Sequence, residues 1–496
     1  MADAVARAKA SSTAGAAREY KISRRTLRRW RKAQVTRHDA PGLSAFVESP
    51  EGARALHRII LAAIIVFGVI HGVGVGRLRL FILLSGLSPW VACSESTLLR
   101  TQARVVAAIG SWGDDMLTRL GATMPPRKLT ILVDETWKRL MIHVGMDAAS
   151  GFILLQKHAE SRDGETWYGA MKGVLDRLRA KVLQVVADDA SGITKFVAKL
   201  PGAHRANDIF HGLYELGPVV RVLHRKCAAA KEAAASAVGE AKKRAGALVR
   251  VLTARLERVT DRIREVSDAF HPFDLATGRA VSVESMRERM EQTVARVEDA
   301  AIKSEVSARV VARIEKGQRQ IPAWTATLAW WQGLVTRTLA TLGLSKPLLV
   351  VMQEIVLPLR YLESVRARAS HASERHRLDD VLGTLRARRS SATVWSAQPR
   401  SERDRLEAIA VWLAGHFVRA SSALEGHNGS RSLRYHQRRD LPPALLDALT
   451  VIHNYVIRRE DGTTAAERFF GGPHDDLFEH LLEKIAPLPR PRRRRA

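Results

Sequence analysis

Cysteine is nearly absent from this chain, whose 496 residues contain two, Cys93 and Cys227. Two cysteines far apart in the sequence provide neither a disulfide framework nor a cysteine-ligated zinc site, and they are typical of a reducing compartment. The N-terminal segment MADAVARAKA also lacks the apolar core of a secretory signal peptide. We therefore expect a cytoplasmic protein.

Long apolar runs are also scarce. The most apolar one, IILAAIIVFGVI at 59–70, is followed by His71 and a glycine-rich stretch. It is shorter than the roughly 20 apolar residues that a membrane-spanning helix requires. We therefore predict a buried helix here and no membrane as a partner.

Acidic residues are outnumbered, because 51 Asp+Glu stand against 79 Lys+Arg and give a formal net charge of +28. A positive field of this strength favours a polyanionic partner, with nucleic acid ahead of an acidic membrane surface. General basicity of an Ala- and Arg-rich proteome is the alternative explanation. Charge alone does not separate these explanations, so the motifs must do so.

The segment AAREYKISRRTLRRWRKA at 16–33 predicts a small helix-turn-helix. Ser23 is a suitable N-cap for its second helix, and Ile22 and Leu27 are spaced as a hydrophobic staple around that cap. Leu27 and Trp30 share one helix face and basic side chains cover the rest, as in a helix that reads DNA. A solvated basic helix is the competing interpretation. The predicted DNA-binding residues are Arg24, Arg25, Arg28, Arg29, Arg31 and Lys32.

The period of the apolar residues changes after about residue 125. Four stretches read as strands, at 129–134, 139–147, 151–159 and 181–188. Helices predicted at 166–180 and near 191–200 complete a mixed α/β sheet covered by helices. From about 216 to 400 the strand pattern disappears, and dense helix formers of mixed charge predict a large all-α segment.

These patterns predict six segments in chain order. The first two are a helix-turn-helix for DNA binding and a second helical unit for DNA binding or dimerisation. A sheet domain in two parts follows, with the all-α segment inserted between them, and a basic tail comes last. The segments are 1–40, 41–125, 126–215, 216–401, 402–470 and 471–496.

Two aspartates directly follow apolar strands, because Asp134 ends ILVD and Asp188 ends VLQVVAD. If these strands pair, their ends lie about 5 Å apart, and carboxylates so close repel each other unless a cation lies between them. Oxygen ligands of this kind suit Mg²⁺ or Mn²⁺. Two such ions need a further anionic ligand, and we expect Glu425 to provide it.

Neighbouring acids are rival candidates. Asp189 adjoins Asp188 and Glu135 adjoins Asp134, but a shift of one residue turns a side chain to the other face of a sheet. We prefer Asp134 and Asp188 because each directly follows its hydrophobic run.

Other acids and aromatics have structural explanations. Asp147 lies in a predicted hairpin turn, and Glu467 forms a predicted capping box with Thr464. The tryptophans expected in the core rather than in base stacking are Trp137, Trp167 and Trp412.

The surroundings of the candidate acids resemble the three acidic blocks of the DDE transposases. The matching stretches are VDETW at 133–137, VVADDASGI at 185–193 and SSALEGHNGSRSL at 421–433. In that family the Glu of the third block is usually followed by an Asn, and here these are Glu425 and Asn428. NDIFHGL at 207–213 resembles the Asp/Cys-x-x-His element of some transposases and singles out Asp208 and His211.

The resemblance implies a ribonuclease-H-like α/β mixed sheet interrupted by a large all-α insertion and preceded by a helical, helix-turn-helix-type DNA-binding region. It implies two Mg²⁺ or Mn²⁺ ions, with Asp134 on both and Asp188 and Glu425 on one each, as catalytic and metal-binding residues. The accessory residues would be Asp208, His211 and Asn428. For His211 a structural or DNA-contacting role competes with metal binding.

The resemblance also implies a function. The expected activity is metal-dependent cleavage of DNA at transposon ends followed by strand transfer. The expected partners are terminal inverted repeats, target DNA and further copies of the chain in a homodimer or larger assembly. The expected setting is the bacterial nucleoid. Two alternatives stay open, a non-catalytic DNA-binding protein on the same scaffold and a ribonuclease-H-like nuclease that only hydrolyses.

Overall fold

The computed structural model describes residues 12–28, 41–137, 140–437 and 441–491. The chain divides into two compact units. Met1–Leu120 and Ser430–Ala496 form the first unit, and Gly121–Gly429 forms the second. The six predicted segments are finer than this division, and their boundaries stay predictions.

The described part of the first unit is mainly helical. Its helices are Thr13–Glu19, 24–28, Pro41–Glu48, Pro50–Ala63, the π-helical Ile64–Ile70, Val75–Leu84, Glu95–Thr123, Pro443–Tyr455, Ala465–Phe470 and Leu477–Lys484. The Ser94 hydroxyl accepts a hydrogen bond from the Thr97 backbone N–H at 3.2 Å and so caps the helix Glu95–Thr123.

The two N-terminal helices pack as the residue pattern predicts. The Ser23 hydroxyl accepts the Thr26 backbone N–H at 2.9 Å, which caps the helix 24–28. Leu27 is fully buried in a small cluster with Ala16 and Ala17, and Ile22 packs against that cluster. The exposed basic residues of this helix are Arg24, Arg25 and Arg28. The predicted DNA-binding residues Arg29, Arg31 and Lys32 lie outside the described residues, as does Trp30.

The apolar run of the first unit belongs to a longer helix than its sequence predicts. Among the described residues, Pro50–Ile70 is a helix of 21 residues that is long and apolar enough to cross a membrane by length and composition. The apolar run at 59–70 by itself is too short to span a membrane, which is the reason for the expectation. The helix is longer because it begins at Pro50, after the N-cap Ser49, well before that run begins at residue 59. Of its most apolar window 39% is buried, so the predicted burial holds only in part.

The C-terminal residues are more ordered than a basic tail. Residues Leu477–Lys484 form a helix that begins at the N-cap Asp476 and buries Leu477 and Leu481. Farther on, the Pro489 carbonyl accepts a hydrogen bond from the Ala92 backbone N–H at 2.8 Å. The segment predicted as a basic tail therefore packs within the first unit up to about Pro489.

The second unit contains a five-stranded mixed sheet. Its strands are β1 Arg127–Trp137, β2 Met141–Asp147, β3 Ile153–Ala159, β4 Ala180–Ala187 and β5 His204–Asn207, in the order β3-β2-β1-β4-β5. β1 pairs antiparallel with β2 and parallel with β4, and β5 is parallel to β4. Every residue of β2 is buried, including the polar residues His143 and Asp147.

Helices make up the rest of the second unit. They are Gly164–Arg177, Ser191–Ala198, Ile209–Ser236, Gly239–Ala269, Val283–Ile302, Ala308–Gln318, Ile321–Ala340, Lys346–Val351, the π-helical Met352–Val356, Leu357–Arg368, Ala372–Ser391, Thr393–Ser396, Arg400–Gly415 and Ser422–Gln437. One buried cluster runs from Ile209 to Phe417 and includes Trp324 and Trp331. The Trp331 indole N–H donates to the Leu413 carbonyl at 2.8 Å. This large helical segment has its own core.

The predicted mixed sheet with a large all-α insertion is therefore confirmed at this level of detail. The four predicted strands are present, with their ends shifted by a few residues. β5 was not predicted, because its four residues HRAN show no apolar alternation. It is a strand because it pairs with β4, for example Val186 with Ala206.

Burial makes the second unit sensitive to acid. Burial lowers the pKa of His143 from 6.5 to about 4, and burial likewise lowers the pKa of His204 and of His416 to about 4. Protonation therefore favours the unfolded chain, in which these side chains titrate near pH 6.5. The stabilisation is complete above that pH and is lost as the pH falls towards 4.

We expect the free energy of unfolding to fall between pH 7 and pH 5 in urea titrations, by up to about 3 kcal/mol per histidine over the full range. The variant His143→Phe keeps an aromatic ring against Trp167, on which His143 stacks at 4.0 Å between ring centroids, and should show a weaker pH dependence. An acid dependence equal to that of the unmodified protein would contradict the assignment of this effect to His143.

Candidate active site

The parallel pairing of β1 and β4 brings the two predicted aspartates together, although β1 continues to Trp137 and does not end at Asp134 as predicted. The parallel register pairs Ile131 with Val185 and Leu132 with Val186. Continued by two residues, this register places Asp134 opposite Asp188 at one edge of the sheet. Neighbouring strands lie about 5 Å apart, so the predicted pairing of these strands is confirmed, whereas a cation between the two carboxylates stays a prediction.

Glu425 reaches the same edge from the first turn of the helix Ser422–Gln437. Asn428 lies one turn later on that helix, and its amide donates a hydrogen bond to Asp134 Oδ2 at 2.7 Å. Residues three apart share a helix face, so this bond also turns Glu425 towards Asp134. On the same helix, His427 contacts Gln156 of β3 at 3.1 Å, which attaches the helix to the sheet at a second point.

Asp208 attaches the chain that precedes Glu425. Its backbone N–H donates to the Ala187 carbonyl at 2.9 Å, at the end of β4. Its buried carboxylate caps the helix Ile209–Ser236 by accepting the Phe210 N–H at 2.7 Å. The other carboxylate oxygen accepts the Ser421 N–H at 2.9 Å and the Ser421 hydroxyl. Asp208 thus joins the strand that ends at Asp188 to the start of the helix that carries Glu425.

Further contacts hold the segment that leads back from the helical insertion. His416 Nδ1 lies 2.7 Å from the Thr130 hydroxyl of β1. The Arg419 carbonyl accepts the Ile209 N–H at 3.0 Å, and its guanidinium contacts the Ser267 hydroxyl at 2.9 Å. The position of Glu425 therefore depends on both the sheet and the insertion.

The carboxylates of the site influence one another. Burial raises the pKa of Asp134, and the charge of Asp188 raises it further, against the lowering effects of hydrogen bonds from the Glu135 backbone and Asn428. Burial also raises the pKa of Glu425, followed by the charge of Asp134. His211 Nε2 lies 3.5 Å from Glu425 Oε1 and opposes both shifts. Like charges thus face one another across a partly buried space.

The rival acids are neutralised by arginines. Asp189 is exposed and forms an ion pair with Arg205 at 2.6 Å. Glu135 is nearly buried and pairs with Arg162 at 2.7 Å, while its other oxygen accepts the Trp167 indole N–H at 3.0 Å. Asp188 and Asp134 have no such arginine partner among the described residues, which supports the choice between neighbours.

The structural explanations for two other acids are confirmed. Asp147 accepts hydrogen bonds from the backbone N–H and hydroxyl of Ser150 in the hairpin turn. Thr464 and Glu467 form the predicted capping box. Among the tryptophans, Trp167 is fully buried and Trp412 packs against the helical core, whereas the side chain of Trp137 lies outside the described residues.

The donor set of the site fits a hard divalent cation in its chemistry. Carboxylate oxygens are the preferred ligands of Mg²⁺ and Mn²⁺, and the raised pKa values of Asp134 and Glu425 arise partly from repulsion that a cation would remove. In the described part of the chain, however, no three His, Cys, Asp or Glu side chains come close enough together to hold a metal ion. The two ions stay a prediction.

A cleft of about 270 Å³ opens beside Asp188. Asp208 and His211 also line it, as do the acids Asp189 and Glu215. Cationic and amide side chains in the lining include Arg162, Lys316 and Gln320. Lys316 and Gln320 belong to the helical insertion, and nothing in the sequence pattern pointed to these three residues.

Comparison with known proteins assigns no activity to the chain. The model of a family of unknown function (DUF6399) matches residues 352–496. The matched part includes Glu425 and Asn428 but neither Asp134 nor Asp188. No curated protein matches the chain.

The contact between Asp208 and Ser421 is testable with neighbouring serines. Ser421→Ala removes a hydroxyl that donates to a buried carboxylate, so we expect the free energy of unfolding to fall by roughly 1–3 kcal/mol in urea titrations. Ser422→Ala is the matched control, because Ser422 is exposed and its loss should cost less than about 0.5 kcal/mol. Equal effects of the two changes would contradict the positioning role of Asp208.

Proposed function

We propose that the chain is a DDE-type transposase that cleaves and joins DNA strands at the ends of a mobile element, with divalent metal ions as cofactors. The observation that carries this proposal is the meeting of four side chains at one edge of a mixed α/β sheet. Asp134 lies in β1 and Asp188 directly follows the parallel strand β4, and the helix with Glu425 and Asn428 is attached through the bond from Asn428 to Asp134. The sheet is proposed to be ribonuclease-H-like.

Three acids are the proposed metal ligands. Asp134, Asp188 and Glu425 would hold two Mg²⁺ or Mn²⁺ ions, as the resemblance implies. Such ions, when bound, supply charge neutralisation at the attacking and leaving oxygens of a phosphodiester. Asn428 orients Asp134, because its amide and the Glu135 backbone N–H occupy one site on each carboxylate oxygen.

The proposed chemistry consists of two displacements at phosphorus. Water attacks the phosphodiester at the element's end, the bond from phosphorus to the 3′ oxygen breaks, and that oxygen leaves as a 3′-hydroxyl. The 3′-hydroxyl then attacks a phosphorus of target DNA, and the target's own 3′ oxygen leaves. A new phosphodiester joins element to target, with no covalent protein intermediate.

Charge and organisation support DNA as the substrate. The net charge of +28 attracts a polyanion. The helix 24–28 exposes three arginines while it buries Leu27, and we propose that it binds the terminal inverted repeats as part of a helix-turn-helix. Joining two element ends calls for at least a dimer.

The acids can be tested against their own neighbours. We expect Asp134→Asn, Asp188→Asn and Glu425→Gln each to reduce Mg²⁺-dependent cleavage by roughly 1,000-fold or more, on a plasmid that carries the DNA flanking the gene. Asp189→Asn is the control, since Asp189 is engaged by Arg205, and it should keep cleavage within a few-fold. DNA binding in Ca²⁺ should survive all four changes.

The outcomes of this experiment separate the possible functions. Full cleavage activity of Glu425→Gln would show that Glu425 is not a catalytic residue. Cleavage that never produces joined strands would favour a nuclease. Binding without cleavage by the unmodified protein would favour a non-catalytic DNA-binding protein.

The DNA-binding role of the N-terminal helix has a separate test. Arg28→Ala removes an exposed cation, so we expect weaker binding to the flanking DNA and a log–log salt slope about one unit smaller in magnitude, as measured by fluorescence anisotropy. Arg54→Ala serves as the control, because Arg54 is equally exposed but paired with Glu51. An unchanged salt slope for Arg28→Ala would exclude a phosphate contact by this residue.

A further inference from the structure

Arg162 is a cation that lines the cleft. The proposed reaction assigns no role to it. It lies in the short loop between β3 and the helix Gly164–Arg177. Its side chain is 64% exposed, yet one guanidinium nitrogen lies 2.7 Å from Glu135 Oε2. Holding an exposed arginine side chain in one conformation costs conformational entropy. The contacts that hold Arg162 must offset this cost.

Glu135 is a rigid partner for this arginine. Its side chain is only 9% exposed, and its other oxygen accepts the Trp167 indole N–H at 3.0 Å. Trp167 is fully buried, with one ring face stacked on His143 at 4.0 Å between centroids. The carboxylate that holds Arg162 is therefore itself fixed from inside the fold.

The backbone of Arg162 is also fixed against the loop that follows Asp188. A Cβ atom added to Gly192 would lie 1.7 Å from the Arg162 carbonyl oxygen. A Cβ atom added to Gly164 would lie 2.6 Å from the side chain of Lys195, in the helix that contains Gly192. The backbone around Arg162 and the start of the helix after Asp188 therefore pack so closely that only glycine fits at these two positions. This packing fixes the backbone of Arg162 relative to the segment that follows Asp188.

Arg162 and Asp188 line the same cleft. The ion pair with Glu135 uses one guanidinium nitrogen, which leaves other N–H groups for a ligand. A guanidinium matches the oxygens of a phosphate in geometry and charge. Fixed donors of this kind contribute most where negative charge develops during a reaction.

We propose that Arg162 binds a non-bridging oxygen of the DNA phosphate that is cleaved beside Asp188, and that Glu135 is its positioning residue. This inference rests on the proposed function. It adds a residue outside the three acidic positions, and it gives Glu135 a role that explains why an acid stands next to Asp134.

The test pairs protein variants with a change of charge on the substrate. Cleavage rates are measured for the full chain with Mg²⁺, on duplex DNA whose cleaved phosphate is either normal or a neutral methylphosphonate. We expect Arg162→Ala to slow cleavage of normal DNA by roughly 100-fold, with Arg162→Lys and Glu135→Gln between it and the unmodified protein. Arg264→Ala is the control, because Arg264 is exposed and paired with Asp261 away from the cleft residues.

The penalty for the neutral phosphate is the decisive quantity. If Arg162 contacts that phosphate, the penalty should be at least about tenfold smaller in Arg162→Ala than in the unmodified protein, and unchanged in Arg264→Ala. A purely structural role of Arg162 would slow both substrates equally and would overturn the inference, as would a normal rate for Arg162→Ala. The proposed function fails separately, if Asp188→Asn still cleaves normal DNA at the unmodified rate.

Discussion

The candidate site depends on the buried carboxylate of Asp208. It meets the end of β4 through its backbone, caps the helix that leads into the insertion, and holds Ser421 where the chain returns from the insertion. Each carboxylate oxygen accepts at least one hydrogen bond, so the charge is buried without being left unsatisfied. Because the insertion leaves and returns at this residue, a large helical segment can interrupt the sheet domain without separating Asp188 from Glu425.

Charge around the site is distributed unevenly. The acids next to Asp134 and Asp188 are paired with arginines. By contrast, burial and the charge of Asp188 raise the pKa of Asp134, and burial and the charge of Asp134 raise the pKa of Glu425. Repulsion of this kind weakens the fold locally and is therefore characteristic of sites that bind a charged ligand. Arg162 adds a positive charge at the cleft, so that the same place offers both oxygen ligands for a cation and a donor for a phosphate.

The helical insertion contributes more than a connection. Its core is continuous from Ile209 to Phe417, which lie close in sequence to Asp208 and Ser421. Packing of that core therefore fixes both ends of the segment on which Glu425 depends. The insertion also supplies Lys316 to the cleft, so the geometry of the candidate site and the surface around it depend on the insertion as well as on the sheet.

The sequence by itself determined the strands β1 and β4 that carry Asp134 and lead to Asp188, and the capping box at Thr464, because these depend on periodicity and on residues a few positions apart. The resemblance to transposases added Glu425, although no local pattern places it near the sheet. Only the tertiary structure decided that Glu135 pairs with Arg162, that Asp208 holds Ser421, and that HRAN forms β5. Those partners are distant in the chain, and their contacts arise only when a strand edge and a long insertion fold back on each other.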